Sequence, residues 1–360
     1  MNRCRGCSGA TLHPVLDLGR VAAADYFPLA QSPVTDAESS HPLRMDLCTE
    51  CGLAQLAEDD TQTEEPRGIE PLALREQAAD AVRRTAEAGW LRGSTVREFG
   101  SPHGGSWLPL LAERGFEAAD RAADLVLDCF GIMHDPDQRE AFLRRCSATA
   151  TGGVLLLQFH SLLTIVEQSQ WNSLRHGHFA YYSLTALRRL LADAGMSIAA
   201  SWEFDLYGGT VLVAAVHGGV EPDAATVDIL AREDRFGITD PAVVSRLGQE
   251  ARAQAAGLRG WLETARADGR TVHAYGASSR AVALFCLAGA DRELLPAIAD
   301  AAPAKQGRRM PGTDIPIVAP DELVAAAPDD ILLTVPDILG EVSQRYPQLD
   351  GRWRTSWPSE

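Results

Sequence analysis

Two Cys-x-x-Cys pairs, Cys4-Arg-Gly-Cys7 and Cys48-Thr-Glu-Cys51, constrain this 360-residue chain more than any other feature. Four thiolates brought together are the ligand set of a structural zinc ion, a tetrahedron with no open position for chemistry. The 40 residues between the pairs (8–47) are no objection, since closing a long loop costs little extra entropy. Free or redox-active thiols are the competing reading, and two matched pairs favour the metal. Cys129, Cys146 and Cys286 sit in apolar contexts and read as packing residues.

The formal net charge of −16 argues against a protein that coats nucleic acid or an anionic membrane. No apolar run reaches the ~18 residues of a spanning helix, and MNRCRGCSG lacks the apolar core of a signal peptide. The expected setting is the cytoplasm, and the expected partner a small molecule. No feature specifies an oligomeric state. Lys305 is the only lysine among 33 basic residues.

The pattern predicts an α/β chain in four parts: a zinc-binding domain over 1–60, a Rossmann-like domain over 70–218, a helical linker over 219–266 and a second α/β domain over 267–360. Asp59–Gly68 is polar and reads as a linker, and Leu72–Ala88 has helical spacing. STVREFGSPHGG (Ser94–Gly105) reads as a strand and a glycine-rich turn, the opening of a doubly wound nucleotide fold. Ala123–His134 and Gly152–His160 read as buried strands, Asp137–Cys146 and Ser183–Gly195 as helices, and Met196–His217 as a hairpin. Arg270–Phe285 opens a second strand–glycine–helix unit, with strand-like Leu294–Asp300 and Asp329–Val335 after it.

Together with the cysteine pairs, AYGASSRAVAL and PAKQGRRMPGTDI (Pro303–Ile315) give the chain a family likeness. It resembles the zinc-containing, S-adenosylmethionine-dependent sugar C-methyltransferases of antibiotic biosynthesis, which act on a nucleotide-linked deoxy-keto-sugar. The resemblance implies a methyltransferase domain, a C-terminal Rossmann-like domain, and a cofactor loop at Gly100, Gly104 and Gly105. It also carries over His178 as a proposed base and His134 as a second active-site histidine. The departures are specific. Where the family reads Tyr-His-Glu-His-Phe, this chain reads Arg175-His176-Gly177-His178-Phe179. The first loop has Pro102 and His103 in place of Asn and Asp, and proline removes a backbone donor. After GFEAAD (Gly115–Asp120) only Arg121 and Ala122 precede ADLVLD. A parallel crossover needs about a dozen residues, so these segments are not expected to form separate parallel strands. One βα unit reads as deleted, and S-adenosylmethionine binding is expected to be lost with it.

What remains is rich in histidine. His103, His134 and His160 each follow a strand, and with His176 and His178 they are expected to converge where doubly wound sheets bind ligands. Such a cleft suits proton abstraction and return, with Arg175 to steady an enolate or hold an anion and Tyr182 in its wall. A single strand-end histidine is otherwise an ordinary hydrogen-bonding residue. In the last domain Gly276, Ser278, Ser279 and Arg280, at a helix start, suit a phosphate or other anion. Lys305, Gln306 and Arg308 are expected to add to that pocket. Three readings stand: an enzyme of methyltransferase ancestry doing acid–base chemistry (isomerisation, epimerisation, dehydration or cyclisation); a working C-methyltransferase; and a non-catalytic nucleotide-sugar-binding or scaffold subunit.

Overall fold

The computed structural model describes residues 3–61, 70–101 and 104–357. The fold is mixed α/β, built on three sheets. The first part holds β1 (Leu12–Val21), β2 (His41–Cys48) and β3 (Ala54–Leu56). The second runs α1 (Leu72–Glu87), β4 (Thr95–Phe99), α2 (Leu108–Ala112), β5 (Glu117–Ala118), β6 (Ala123–Cys129), α3 (Gln138–Ala148), β7 (Thr149–His160) and α4 (Leu162–Glu167). It continues with β8 (Ala180–Tyr181), α5 (Leu184–Asp193), β9 (Met196–Phe204) and β10 (Thr210–His217). Three helices follow, α6 (Ala224–Phe236), α7 (Pro241–Val244) and α8 (Leu247–Ala267). The last part holds β11 (Val272–Tyr275), α9 (Ser279–Ala288), β12 (Ile298–Ala299), β13 (Ile317–Val318), α10 (Pro320–Ala326), β14 (Asp330–Leu333), α11 (Leu339–Arg345) and β15 (Trp353–Arg354).

The central sheet has the order β5-β4-β6-β7-β10-β9, parallel from β5 to β7 and antiparallel through β10 and β9. Both faces are covered, so successive residues of β7 enter different cores. Val154 and Leu156 pack with α1 and α2, and Leu155 and Leu157 pack with α3 and α5. Ser183 caps α5 by accepting from the Ala186 N–H at 3.1 Å, and Asp137 caps α3 in the same way at 3.0 Å.

The region after GFEAAD differs from expectation. Glu117 and Ala118 do form a parallel strand against Thr95 and Val96, although β6 begins at Ala123 on the other side of β4. The connection is possible because β5 is two residues long and stays at the amino end of β4. The chain therefore passes under that end without returning along the sheet. The missing piece is the upper part of the strand and the helix that would follow it. With ~3.3 Å per residue, β5 stops about 10 Å short of the carboxyl end of β4.

The first sheet is not made from the N-terminal residues alone. Its order is β1-β2-β3-β8, and Ala180 and Tyr181 pair with Gln55 and Ala54. Behind it, Leu16, Leu43 and Met45 share one apolar core with Leu258 and Leu262 of α8 and Phe285 of α9. The third sheet, β13-β12-β11-β14-β15, is wholly parallel. Its carboxyl ends face those of the central sheet.

Candidate active site

The four knuckle cysteines come together as the sequence spacing requires. Cys4 and Cys7 precede β1, and Cys48 and Cys51 flank the β2–β3 turn. Their sulfurs all lie within 4.8 Å of one another, with Cys4–Cys51 at 3.5 Å and Cys7–Cys48 at 3.7 Å. A tetrahedron with ~2.3 Å zinc–sulfur bonds has edges of about 3.8 Å, so the thiols fit a zinc ion. A hydrogen bond from Cys51 pulls the Cys4 thiol down to about 5 and pushes Cys51 upward. When bound, the ion supplies cross-linking of the two knuckles. Gly6 lets the first knuckle close on α5, since a Cβ there would stand 2.6 Å from Leu190 Cδ2.

A cavity of about 250 Å³ opens between the carboxyl ends of the parallel strands of the central sheet and those of the third sheet. From the central sheet come Gly104, Gly105, His160, Arg175 and His178. From the C-terminal unit come Ser278, Ser279, Arg280 and Lys305. Phe130, Met133 and Trp107 supply apolar wall.

Each polar group has a definite placement. Asp128 accepts from the Gly131 and Ile132 N–H groups at 2.8 and 2.9 Å and from buried Arg145 Nε at 2.6 Å, which fixes the turn carrying His134. His134 Nδ1–H donates to the Gly177 carbonyl at 3.0 Å, and its ring meets the His178 ring edge-on at 4.4 Å. Gly177 has φ +76°, the left-handed region that glycine enters without strain. Arg175 Nε donates to His178 Nε2 at 2.8 Å and Arg175 Nη1 to Ser279 Oγ at 2.6 Å, joining the two halves of the cavity. Arg280 Nη2 donates to His160 Nδ1 at 3.3 Å, and its guanidinium lies 5.1 Å from the Tyr207 ring centre. Burial, with Arg175 nearby, lowers Arg280 to about 10. Burial, then the charges of Arg280 and Arg175, push His160 well below the usual imidazole range, so it is a neutral acceptor. Lys305 Nζ donates to the Ala277 carbonyl at 2.8 Å.

Other candidates lie elsewhere. His176 is buried below the cavity and donates from Nε2 to the Pro42 carbonyl at 3.1 Å, because the turn at Gly177, closed by the His178 N–H on the Arg175 carbonyl, sends the two neighbouring imidazoles in different directions. Tyr182 is a core residue whose hydroxyl donates to Gln138 and whose ring packs on Phe142 and Phe159. Gly276 sits behind the loop, taking the Thr334 hydroxyl on its carbonyl. Gln306 is spent on the Asp300 carbonyl, and Arg308 on the Ala304 and Phe27 carbonyls in an outer groove. Gly100 is in the loop but not in the wall, and His103 lies outside the described residues. Among the wall residues that went unread in the sequence are Tyr207, at φ +55°, and Asp337, which accepts its N–H at 2.7 Å. The aromatic in Asp-Leu-Tyr-Gly-Gly, between two strands, was the available signal.

The C-methyltransferase C-terminal domain model matches residues 205–356, and a zinc binding domain model matches residues 4–64. The C-methyltransferase NovU of Streptomyces niveus is 29% identical over 226 residues, 62% of this chain and 54% of that protein. The chain is thus similar to C-methyltransferases over its N-terminal and C-terminal parts. It spans about half the length of that relative. Two methyltransferases of solved structure also align with part of it. The N-methyltransferase NodS of Bradyrhizobium japonicum, in complex with S-adenosylhomocysteine, is 13% identical over 42% of this chain and 90% of its own, at a TM-score of 0.32. The 1,6-didemethyltoxoflavin N1-methyltransferase of Burkholderia thailandensis gives 13%, 42%, 80% and 0.32.

For the methyl donor, the residues present fit poorly. Gly104 and Gly105 reach the cavity, but the Glu98 carboxylate is held by Trp107 N–H at 2.8 Å and Ser106 Oγ at 2.5 Å. The short β5 brings no acid to the carboxyl end of β4.

Proposed function

We propose that this chain has C-methyltransferase ancestry, no longer transfers methyl groups and moves a proton on a small anionic metabolite. The observation that carries the reading is Arg280. Its guanidinium is a partly buried group on the cavity wall, and among the described residues no ion pair to a carboxylate is formed by it. Arg175, Arg280 and Lys305 outnumber the wall's two acids, Glu70 and Asp337, in a protein of net charge −16. An anion bound there draws Arg175 off His178 Nε2, freeing that nitrogen to take a proton from carbon while the guanidinium groups steady the resulting enolate. His134 backs His178 through its ring contact, with its own Nδ1–H held by the Gly177 carbonyl. Isomerisation, epimerisation, dehydration and cyclisation are the matching reaction types.

Calorimetry with S-adenosylmethionine tests the first half: no binding heat is expected, and tight binding would refute it. His178→Gln and His134→Gln test the second half, each expected to abolish product formation when returned to a gene-deletion strain. Equal rescue by both variants would favour a non-catalytic binding subunit. The glycine pair at the cavity keeps active C-methylation as the runner-up, which the calorimetry decides.

A further inference from the structure

We propose that Arg5, inside the first zinc knuckle, is a positioning residue for the His134–His178 pair, so that zinc occupancy sets the geometry of the proton-transfer site. This rests on the acid–base reading only for its consequence, not for its test. Arg5 N–H donates to Gln55 Oε1 at 2.8 Å, which ties the knuckle to β3. Its Nε donates to the Leu56 carbonyl at 3.1 Å and its Nη1 to the Pro136 carbonyl at 3.0 Å. Pro136 lies two residues beyond His134. The same guanidinium stands 4.8 Å from the ring centre of Phe179, the residue after His178.

The two histidine segments meet around that side chain. Phe179 N–H donates to the Met133 carbonyl at 2.7 Å, and Leu56 N–H to the Phe179 carbonyl at 3.3 Å. From the end of the first sheet, Asp59 Oδ2 accepts the Gly177 N–H at 2.7 Å, holding the peptide whose carbonyl receives His134. One cation flanked by two metal ligands therefore contacts both histidine-bearing loops. Its own position is set by Cys4 and Cys7. A knuckle without metal frees Arg5, and with it the separation of the two imidazoles.

The test uses the full chain and the reactivity of individual histidines toward diethyl pyrocarbonate, read by peptide mass spectrometry alongside zinc content. In Arg5→Ala, zinc is expected to stay bound, because all four thiols remain. Carbethoxylation of His134 and His178 is expected to rise about ten-fold, as losing a hydrogen bond to a charged donor allows in a local opening. Exposed His13 serves as the unchanged reference. Arg5→Gln, which keeps a single amide donor, is expected to fall between. Zinc removal from the wild type is expected to reproduce the Arg5→Ala pattern. Unchanged rates at both histidines with zinc retained would overturn the proposal. So would an equal rise at His41, His176 and His273, which marks general loosening. Loss of zinc from both variants would overturn it too, since Arg5 would then belong to the metal site. None of these readings uses a substrate, so they are independent of whether His178→Gln loses product.

Discussion

Arg280→Met separates stability from binding. The guanidinium falls from its ordinary value to about 10 on folding because burial disfavours its charge and Arg175 repels it. At ~1.4 kcal/mol per unit that is a penalty of about 3 kcal/mol. The sign follows from a cation whose folded value is lowered: the penalty is complete at neutral pH and is relieved only as pH rises above about 10 toward the ordinary guanidinium range. Methionine keeps the stem and removes the charge. It also removes the contact with the Tyr207 ring and the hydrogen bond to His160, worth together about 1–2 kcal/mol. The variant should therefore be more stable than wild type at pH 7 by about 1–2 kcal/mol, the balance of these effects. Urea unfolding followed by circular dichroism measures this directly. Adding inorganic phosphate reverses the order, because a ligand of the native state stabilises by about 2.7 kcal/mol at a hundred times its dissociation constant. Wild type should gain and Arg280→Met should not. A variant that unfolds at lower urea without phosphate, or gains equally from phosphate, would refute the reasoning.

Further outcomes follow from other groups. Gly177→Ala places a Cβ at φ +76° and should cost about 1–2 kcal/mol in unfolding measurements, with loss of the His134 contact. His160 and His176 are both held below their ordinary values by burial, so the folded protein resists their protonation. Stability should be flat above pH ~6.5 and fall below it by up to about 1.4 kcal/mol per pH unit for each, read from urea midpoints. Chelation of zinc should release β8 from β3 together with the knuckles, seen as deuterium uptake at Ala180 and Tyr181; protection there after complete metal removal would contradict the fold's logic.

Much of this was readable from residues alone, where chemistry is local. Cysteine spacing specifies its own geometry, and Ser183 and Asp137 announce helix starts through their side chains. The placement of His134, His160 and Arg280 at strand or helix ends followed from the doubly wound pattern. What stayed hidden depends on three-dimensional coincidence. β5 and β8 are two residues each, too short for any period to show. The Arg175–Ser279 bond spans 104 positions, and no local signal predicts it. Gln306 and Arg308 looked like pocket residues because sequence cannot say which way a side chain leaves a loop. His176 and His178 show the same limit, since two histidines one residue apart face opposite ways.

The late arrival of β8 has a consequence for synthesis. When β3 leaves the ribosome, its outer edge has no partner until Ala180 emerges, about 120 residues later. At ~5–20 residues per second the gap lasts roughly 6–25 s. Throughout it, a zinc-closed hairpin carries a bare strand edge and an apolar face still waiting for α8 and α9. Unpaired edges of that kind recruit other chains. Nascent metal loading therefore fixes the hairpin early without finishing it, and the N-terminal segment depends on the rest of its own chain for protection.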